Sequence, residues 1–351
     1  MRQCDARDGE KRGHAVQFGL YPPLTQRGGH IDRLWADIVD AAKVAETVGF
    51  NSCLFGEHHQ GRDGYLTSPL LLAGMLAMQT RTLRVGTCLL LLPLYHPIRV
   101  AEDAALVDLT SGGRLLLGVG LGYLPPDFAA FAVSPKERVS RLEEGVQVLR
   151  QAWTEPKVSF GGRRYQLESI AVTPKPLQQP HPPIWLGGSS ASGVRRAARL
   201  GDGWICDGMQ GRESIARLAG LYREECVRLG KTPRIGLMRQ VWIAESRAKV
   251  IEEYERAIVG LYRFIWRNRD MYAATESWAQ DATSVDGVTL DRVPLDRFIL
   301  GTPEEAIEQV AGWQELGVEH LVIGFHHPDG PPAARVNEVI RTFGETVIAK
   351  L

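Results

Sequence analysis

Residues 83–91 read LRVGTCLLL, residues 98–109 read IRVAEDAALVDL, and SGGR at 111–114 leads into LLLGV at 115–119. The first and last are short, mostly apolar runs, the mark of strands buried on both faces. The middle piece has helical patterning. It begins beside Pro97, a residue suited to an early helical position, and stops before Ser111-Gly112-Gly113. A strand, a helix and a second strand in this order predict parallel strands joined by a helical crossover.

The same alternation extends in both directions. Strands are expected at 16–21, 52–55, 184–186, 203–206, 235–243 and 320–324. Helices are expected at 32–48, 68–78, 138–153, 192–200, 213–229, 303–316 and 333–350. Helix 32–48 shows the pattern well, with Leu34, Ile38, Ala41, Ala45 and Val48 on one face and Gly49 at its end. Two stretches interrupt the alternation. Gly161-Gly162, Pro174, Pro176 and Pro180 make 154–183 an excursion with a hairpin. The second, 247–297, carries one helix and then a polar segment near 275–287, a candidate lid, so that an insertion is placed at 265–297. Gly118-Val119-Gly120-Leu121-Gly122 comes too late in the chain, and with the wrong spacing, for a dinucleotide fingerprint. The expected fold is α/β, a single (β/α)8 TIM barrel with insertions over 15–351, preceded by a disordered leader at 1–14.

Composition narrows the function classes. The 351 residues have zero formal net charge and a pI near 7.1, so no field gathers nucleic acid or an anionic membrane. The apolar run at 88–94 is too short to span a bilayer, and 1–14 lacks the apolar core of a secretory signal. The five cysteines (Cys4, Cys53, Cys88, Cys206, Cys226) are scattered without a Cys-x-x-Cys pair, which argues for a reducing compartment and a cytoplasmic location.

Barrel enzymes keep their chemistry at the C-terminal ends of the strands. Polar and glycine-rich residues collect there: Gly56-Glu57-His58-His59, Tyr95-His96-Pro97, Gly120-Leu121-Gly122-Tyr123, Gly187–Gly193 and Phe325-His326-His327. The hydroxyl-rich loop of Gly188, Ser189, Ser190, Ala191 and Gly193 opens a helix, where free N–H groups favour a phosphate. An ordinary helix cap explains the same residue types. His58, with an imidazole pKa near neutrality, suits general acid/base work. Adjacent histidines on an extended segment point apart, and no regular third ligand accompanies them, so no metal is assigned; His326 and His327 across the mouth keep that alternative open. Arg99, Glu102 and Asp103 are read as structural. Trp185, Trp204 and Phe325 suit either the core or the wall of a planar cofactor.

These segments resemble the bacterial luciferase-like monooxygenases. The resemblance rests on Gly49-Phe50-Asn51 with Glu57-His58-His59, on Val85-Gly86-Thr87-Cys88 with Leu92-Pro93 and His96-Pro97-Ile98-Arg99, and on Ser111-Gly112-Gly113-Arg114. Gly118, Gly122, Asp127-Phe128, Ser190-Ala191-Ser192 and Gly301-Thr302-Pro303-Glu304 complete it. It implies a cytoplasmic monooxygenase, a homodimer, that takes reduced FMN from a separate NAD(P)H:flavin reductase. With O2 it would oxygenate a small or medium organic substrate through a flavin hydroperoxide. It also implies His58 as the catalytic acid/base. Cofactor contacts would come from Cys88, Leu89, Gly120, Leu121, Gly122, Tyr123, Gly188, Ser189, Ser190, Ala191 and Gly193, with a non-proline cis peptide at Cys88–Leu89. Glu57, His59, Tyr65, His96, Trp204 and His326 are placed around the substrate. The sequence departs from the family at Leu121, where luciferases carry an arginine, at Gly193, where they carry threonine, and at Cys88 and Leu89, which replace alanines; Arg195 is a candidate substitute for the missing base. A deazaflavin-dependent oxidoreductase and a non-catalytic flavin-binding subunit are the alternatives.

Overall fold

The computed structural model describes residues 16–25, 31–61, 64–267 and 283–351. In chain order the strands are β1 (Gln17–Tyr21), β2 (Ser52–Phe55), β3 (Arg84–Leu90), β4 (Leu115–Val119), β5 (Val158–Gly161), β6 (Gln166–Ile170), β7 (Ile184–Gly187), β8 (Gly203–Cys206), β9 (Ile235–Ile243), β10 (Phe298–Gly301) and β11 (Val318–Gly324). The helices are α1 (Ile31–Thr47), α2 (Pro69–Ala77), α3 (Pro97–Thr110), α4 (Pro125–Ala130), α5 (Arg138–Thr154), α6 (Ala191–Leu200), α7 (Arg212–Arg228), α8 (Arg247–Arg267), α9 (Pro303–Glu315) and α10 (Ala333–Thr346).

Strands β1, β2, β3, β4, β7, β8, β9 and β11 pair in parallel in that order, and β11 returns to β1, closing an eight-stranded (β/α)8 barrel. The antiparallel pair β5–β6 is the hairpin expected within 154–183. Strand β10 was not anticipated. It lies alongside the upper half of β9, with Phe298 to Gly301 opposite Gln240 to Ile243. Helix α4 was also not anticipated, and the terminal helix stops at Thr346 before a separate 3-10 turn, Ile348–Lys350. The leader at 1–14 lies outside the described residues, as does most of the candidate lid at 275–287.

Alternation along the strands divides the interior in two. Outward residues such as Leu20, Cys53, Val85 and Leu117 join the helices in the main core. Inward residues Leu54, Cys88, Leu116, Trp185, Ile205 and Val322 form a separate cluster inside the ring. Two glycines make room for Trp185: a Cβ at Gly203 or Gly236 would sit 2.5 or 2.8 Å from its indole. At the floor, the Ser52 hydroxyl and His320 Nε2 lie 3.0 Å apart, and the His320 ring meets Trp185 edge-on at 5.8 Å. Burial, reinforced by Arg84 and Arg234, pushes the His320 imidazole down to about 3.

The cap of α9 explains part of the Gly301–Glu304 motif. Thr302 and Glu305 form a reciprocal capping box, so that segment is structural. No helix among the described residues is long and apolar enough to cross a membrane.

Candidate functional site

The end of β2 is fixed by one carboxylate. Glu57 is buried and accepts from the Leu91 amide at 2.6 Å, from His59 Nε2 at 2.7 Å and from the Tyr95 hydroxyl. It therefore ties the end of β2 to the turn between β3 and α3. This occupies the carboxylate as a brace. The hydrogen bond to Glu57 raises the pKa of the His59 imidazole above its ordinary value, and the His59 ring rests on Phe131 at 4.6 Å.

His58 is half-buried between two phenols, edge-on to Tyr65 at 5.0 Å and to Tyr123 at 5.7 Å. Tyr65 is held by Tyr21, with the two hydroxyls 2.7 Å apart. Burial drives both phenols' pKa values well above the ordinary value. Gly56 is needed beneath them, since a Cβ there would meet the Tyr21 oxygen at 1.9 Å.

The Cys88–Leu89 peptide is cis, and the β3–β4 register shifts across it. Cys88 faces the barrel interior, where burial pushes its thiol up to about 12. The half-buried Leu89 side chain lies across three glycines: Cβ atoms at Gly118, Gly120 and Gly187 would approach it to 3.0, 3.0 and 2.2 Å. Leu89 thus links the ends of β4 and β7 to the mouth that holds His58. Gly122 turns the chain at φ +72°, and Leu121 packs on the main core.

After β7, Ser190 caps α6 by accepting from the Gly193 amide at 3.2 Å. A Cβ on Gly188 would stand 2.8 Å from the Gly193 carbonyl carbon, so the loop closes tightly on the helix start. Ser189 donates its hydroxyl to Asp207. The groups that remain for an anion are the first-turn amides at Ala191 and Ser192 and the hydroxyls of Ser190 and Ser192. The arginines of α6 lie elsewhere: Arg196 and Arg199 each reach Glu143 at 2.8 Å, while Arg195 is exposed and acts on Glu225.

Two other expected residues fall away from this mouth. Trp204 is fully buried on the outward side of β8, against Tyr222 at 5.5 Å, with its indole N–H donated to the Gly188 carbonyl at 2.8 Å. Its placement around the substrate is corrected: between inward Gly203 and Ile205, strand alternation turns it toward α7. His96 is exposed and caps α3 by accepting from the Ile98 amide at 3.3 Å. His326 and Tyr21 border a side cavity of about 380 Å³ between α1 and α10. Phe325 packs with Phe50 and Phe343, and Trp185 sits at the barrel floor.

Sequence reasoning passed over Arg239 and Arg297, and it quoted Asp127 in the resemblance without giving it a role. The two arginines hold the turn after β8: Arg297 Nε donates to the Met209 carbonyl at 2.6 Å and an Arg239 Nη to that of Gln210 at 3.0 Å. Burial lowers the Arg239 guanidinium to about 10. No local pattern marks either one. Among the described residues, no group of three His, Cys, Asp or Glu side chains is arranged to hold a metal ion.

A closed barrel with its polar residues gathered at the C-terminal mouth is the layout of a barrel enzyme, and the sequence narrows the class. Residues 16–320 match the luciferase-like monooxygenases, and the chain belongs to that family. An F420-dependent glucose-6-phosphate dehydrogenase of Amycolatopsis mediterranei is 29% identical over 342 residues, covering 90% of this chain and 94% of that one. The oxygenase component of a flavin-dependent trigonelline monooxygenase from Acinetobacter baylyi is 26% identical over 331 residues, 90% and 92% of the two chains. The oxygenating constituent of 3,6-diketocamphane monooxygenase from Pseudomonas putida, solved with FMN, shares the fold. Its TM-score is 0.79 at 19% identity, covering 96% of this chain and 99% of that one.

Proposed function

We propose that the protein is a cytoplasmic, FMN-dependent monooxygenase that receives reduced FMN from a separate NAD(P)H:flavin reductase and oxygenates a small or medium organic substrate with O2. The observation that carries this reading is His58, poised between Tyr65 and Tyr123 at the same barrel end as Leu89 and the Ser189–Gly193 loop. The oxygenase-component relative supports the separate reductase.

The residues fit a flavin mononucleotide. Gly188 lets the loop close on the start of α6, whose free first-turn amides favour a phosphate, and Leu89 with Cys88 offers an apolar seat for a ring. The grip on phosphate is weaker than in luciferases, because Leu121 replaces their arginine and Asp207 stands beside Ser189. The flavin, when bound, supplies the electrons that activate oxygen. His58 exchanges a proton with the reacting oxygen, Tyr65 and Tyr123 orient its ring, and the surrounding apolar side chains exclude water. Glu57 keeps the His58 segment in register with β3.

An F420-dependent oxidoreductase is the second reading. The dehydrogenase similar over 90% of the chain favours it. The third, a flavin-binding subunit without catalysis, has no role for His58. Anaerobic titration with reduced FMN and with reduced F420, followed by mixing with oxygenated buffer, separates them. Binding of FMN and delayed recovery of oxidised-flavin absorbance are expected. Binding of F420 alone would overturn the FMN assignment.

A homodimer belongs to the same reading. Helix α2 is apolar around its whole circumference; Leu71, Met75 and Met78 stay 65, 41 and 71% exposed, beside Leu106 and Leu109 of α3 at 50 and 36%. A contiguous apolar face of this kind marks an association surface.

A further inference from the structure

Asp127 stands in the first turn of α4, the short helix that covers the Glu57–Gln60 segment. Three contacts hold the cover in place. Gln60 donates to the Pro126 carbonyl at 2.6 Å, the His59 ring rests on Phe131 at 4.6 Å, and His58 meets Tyr123, just ahead of the helix, at 5.7 Å. The Asp127 side chain beneath is 1% exposed, and neither oxygen makes a hydrogen bond of full geometry among the described residues. The groups acting on it are few. His58, His59 and the His59 amide favour its anion, while burial and Glu57 disfavour it; burial is the largest influence and raises its pKa.

A buried carboxyl in this state is costly until a donor reaches it. The neighbouring carboxylate, Glu57, already has its donors, one of them His59 Nε2. Of the two imidazoles that act on Asp127, His59 already gives its Nε2 to Glu57. We propose that Asp127 is the positioning residue of His58: it accepts a ring N–H of His58, fixes that imidazole's tautomer and turns the opposite nitrogen toward the barrel mouth. Two carboxylates then serve two adjacent histidines, Glu57 holding His59 and Asp127 holding His58. The arrangement keeps the working nitrogen in one orientation, as a carboxylate does for a catalytic imidazole elsewhere. The catalytic consequence rests on the proposed role of His58; the pairing itself is open to test in the protein without cofactor.

The test is an NMR pH titration of the cofactor-free protein labelled at histidine 13Cε1, with His58 and His59 assigned from His58→Gln and His59→Gln. The other ionisable groups facing His58 are the phenols Tyr65 and Tyr123, which ionise far above an imidazole. Asp127→Asn should lower the His58 midpoint by about one pH unit and leave His59 nearly unmoved, while Glu57→Gln should do the reverse. Asp127→Glu, which keeps the charge, should retain most of the His58 shift. An unchanged His58 midpoint in folded Asp127→Asn overturns the proposal. If that variant does not fold, the wild-type protein still decides: a His58 midpoint at or below the ordinary value of about 6.5 overturns it, and a raised midpoint that Asp127→Glu preserves upholds it. A positive titration together with normal turnover in a His58 variant would leave the pairing standing and remove the catalytic assignment.

Discussion

At the two ends of the barrel sit two imidazoles whose surroundings differ in kind. His58 at the mouth has aromatic walls and carboxylates nearby, the setting for a group that takes and returns a proton. His58→Ala should leave folding and FMN binding intact and slow product formation by about 10²-fold, measured as kcat beside circular dichroism. Normal turnover would take His58 out of the mechanism. His320 at the floor is sealed in and held neutral, with its pKa depressed to about 3. The unfolded chain protonates this group near pH 6.5 while the folded one does not. Its contribution is therefore present above that pH and lost as pH falls toward 3, at about 1.4 kcal/mol per unit. Urea midpoints at pH 7 and 5 should fall further for wild type than for His320→Gln; equal falls would refute the assignment. The Glu57-His58-His59 triplet was legible as a candidate site because its residue types stand together after a strand. The roles within it were not legible, since Glu57 owes its function as a brace to Leu91 and Tyr95, more than thirty positions away.

Helices and strands were the most legible part of the molecule, and the two misses differ in cause. α4 has six residues, too few for a helical periodicity to show, and β10 exists through its pairing with the upper half of β9. In the proposed reading, the start of α6 bears most directly on cofactor binding. A methyl on Gly188 would press on the Gly193 backbone at 2.8 Å and spread the loop from the helix. Gly188→Ala should weaken reduced-FMN binding by about tenfold or more, roughly the loss of one charge-assisted hydrogen bond, without changing far-UV circular dichroism. Unchanged affinity would move the phosphate to another part of the mouth.

On the scale of the whole molecule, the exposed apolar face of α2 and α3 predicts self-association. Met78→Glu combined with Leu71→Glu should convert a dimer to a monomer in light scattering at micromolar concentration, with secondary structure preserved. A monomeric wild-type protein would refute the dimer. The sequence by itself determined the alternation of strands and helices, the closed barrel they imply, the interruptions and the gathering of His58, Gly120–Tyr123 and Ser189–Gly193 at strand ends. Each of these is written in the order and spacing of residues close along the chain. Only the tertiary structure decided which way Trp204 faces, that Glu57 is a brace, that the histidines act on the charge of Asp127 and that Ser52 meets His320 across 268 positions. Those contacts depend on strand register and on closure of the ring. Closure brings distant residues together through packing that no local periodicity encodes.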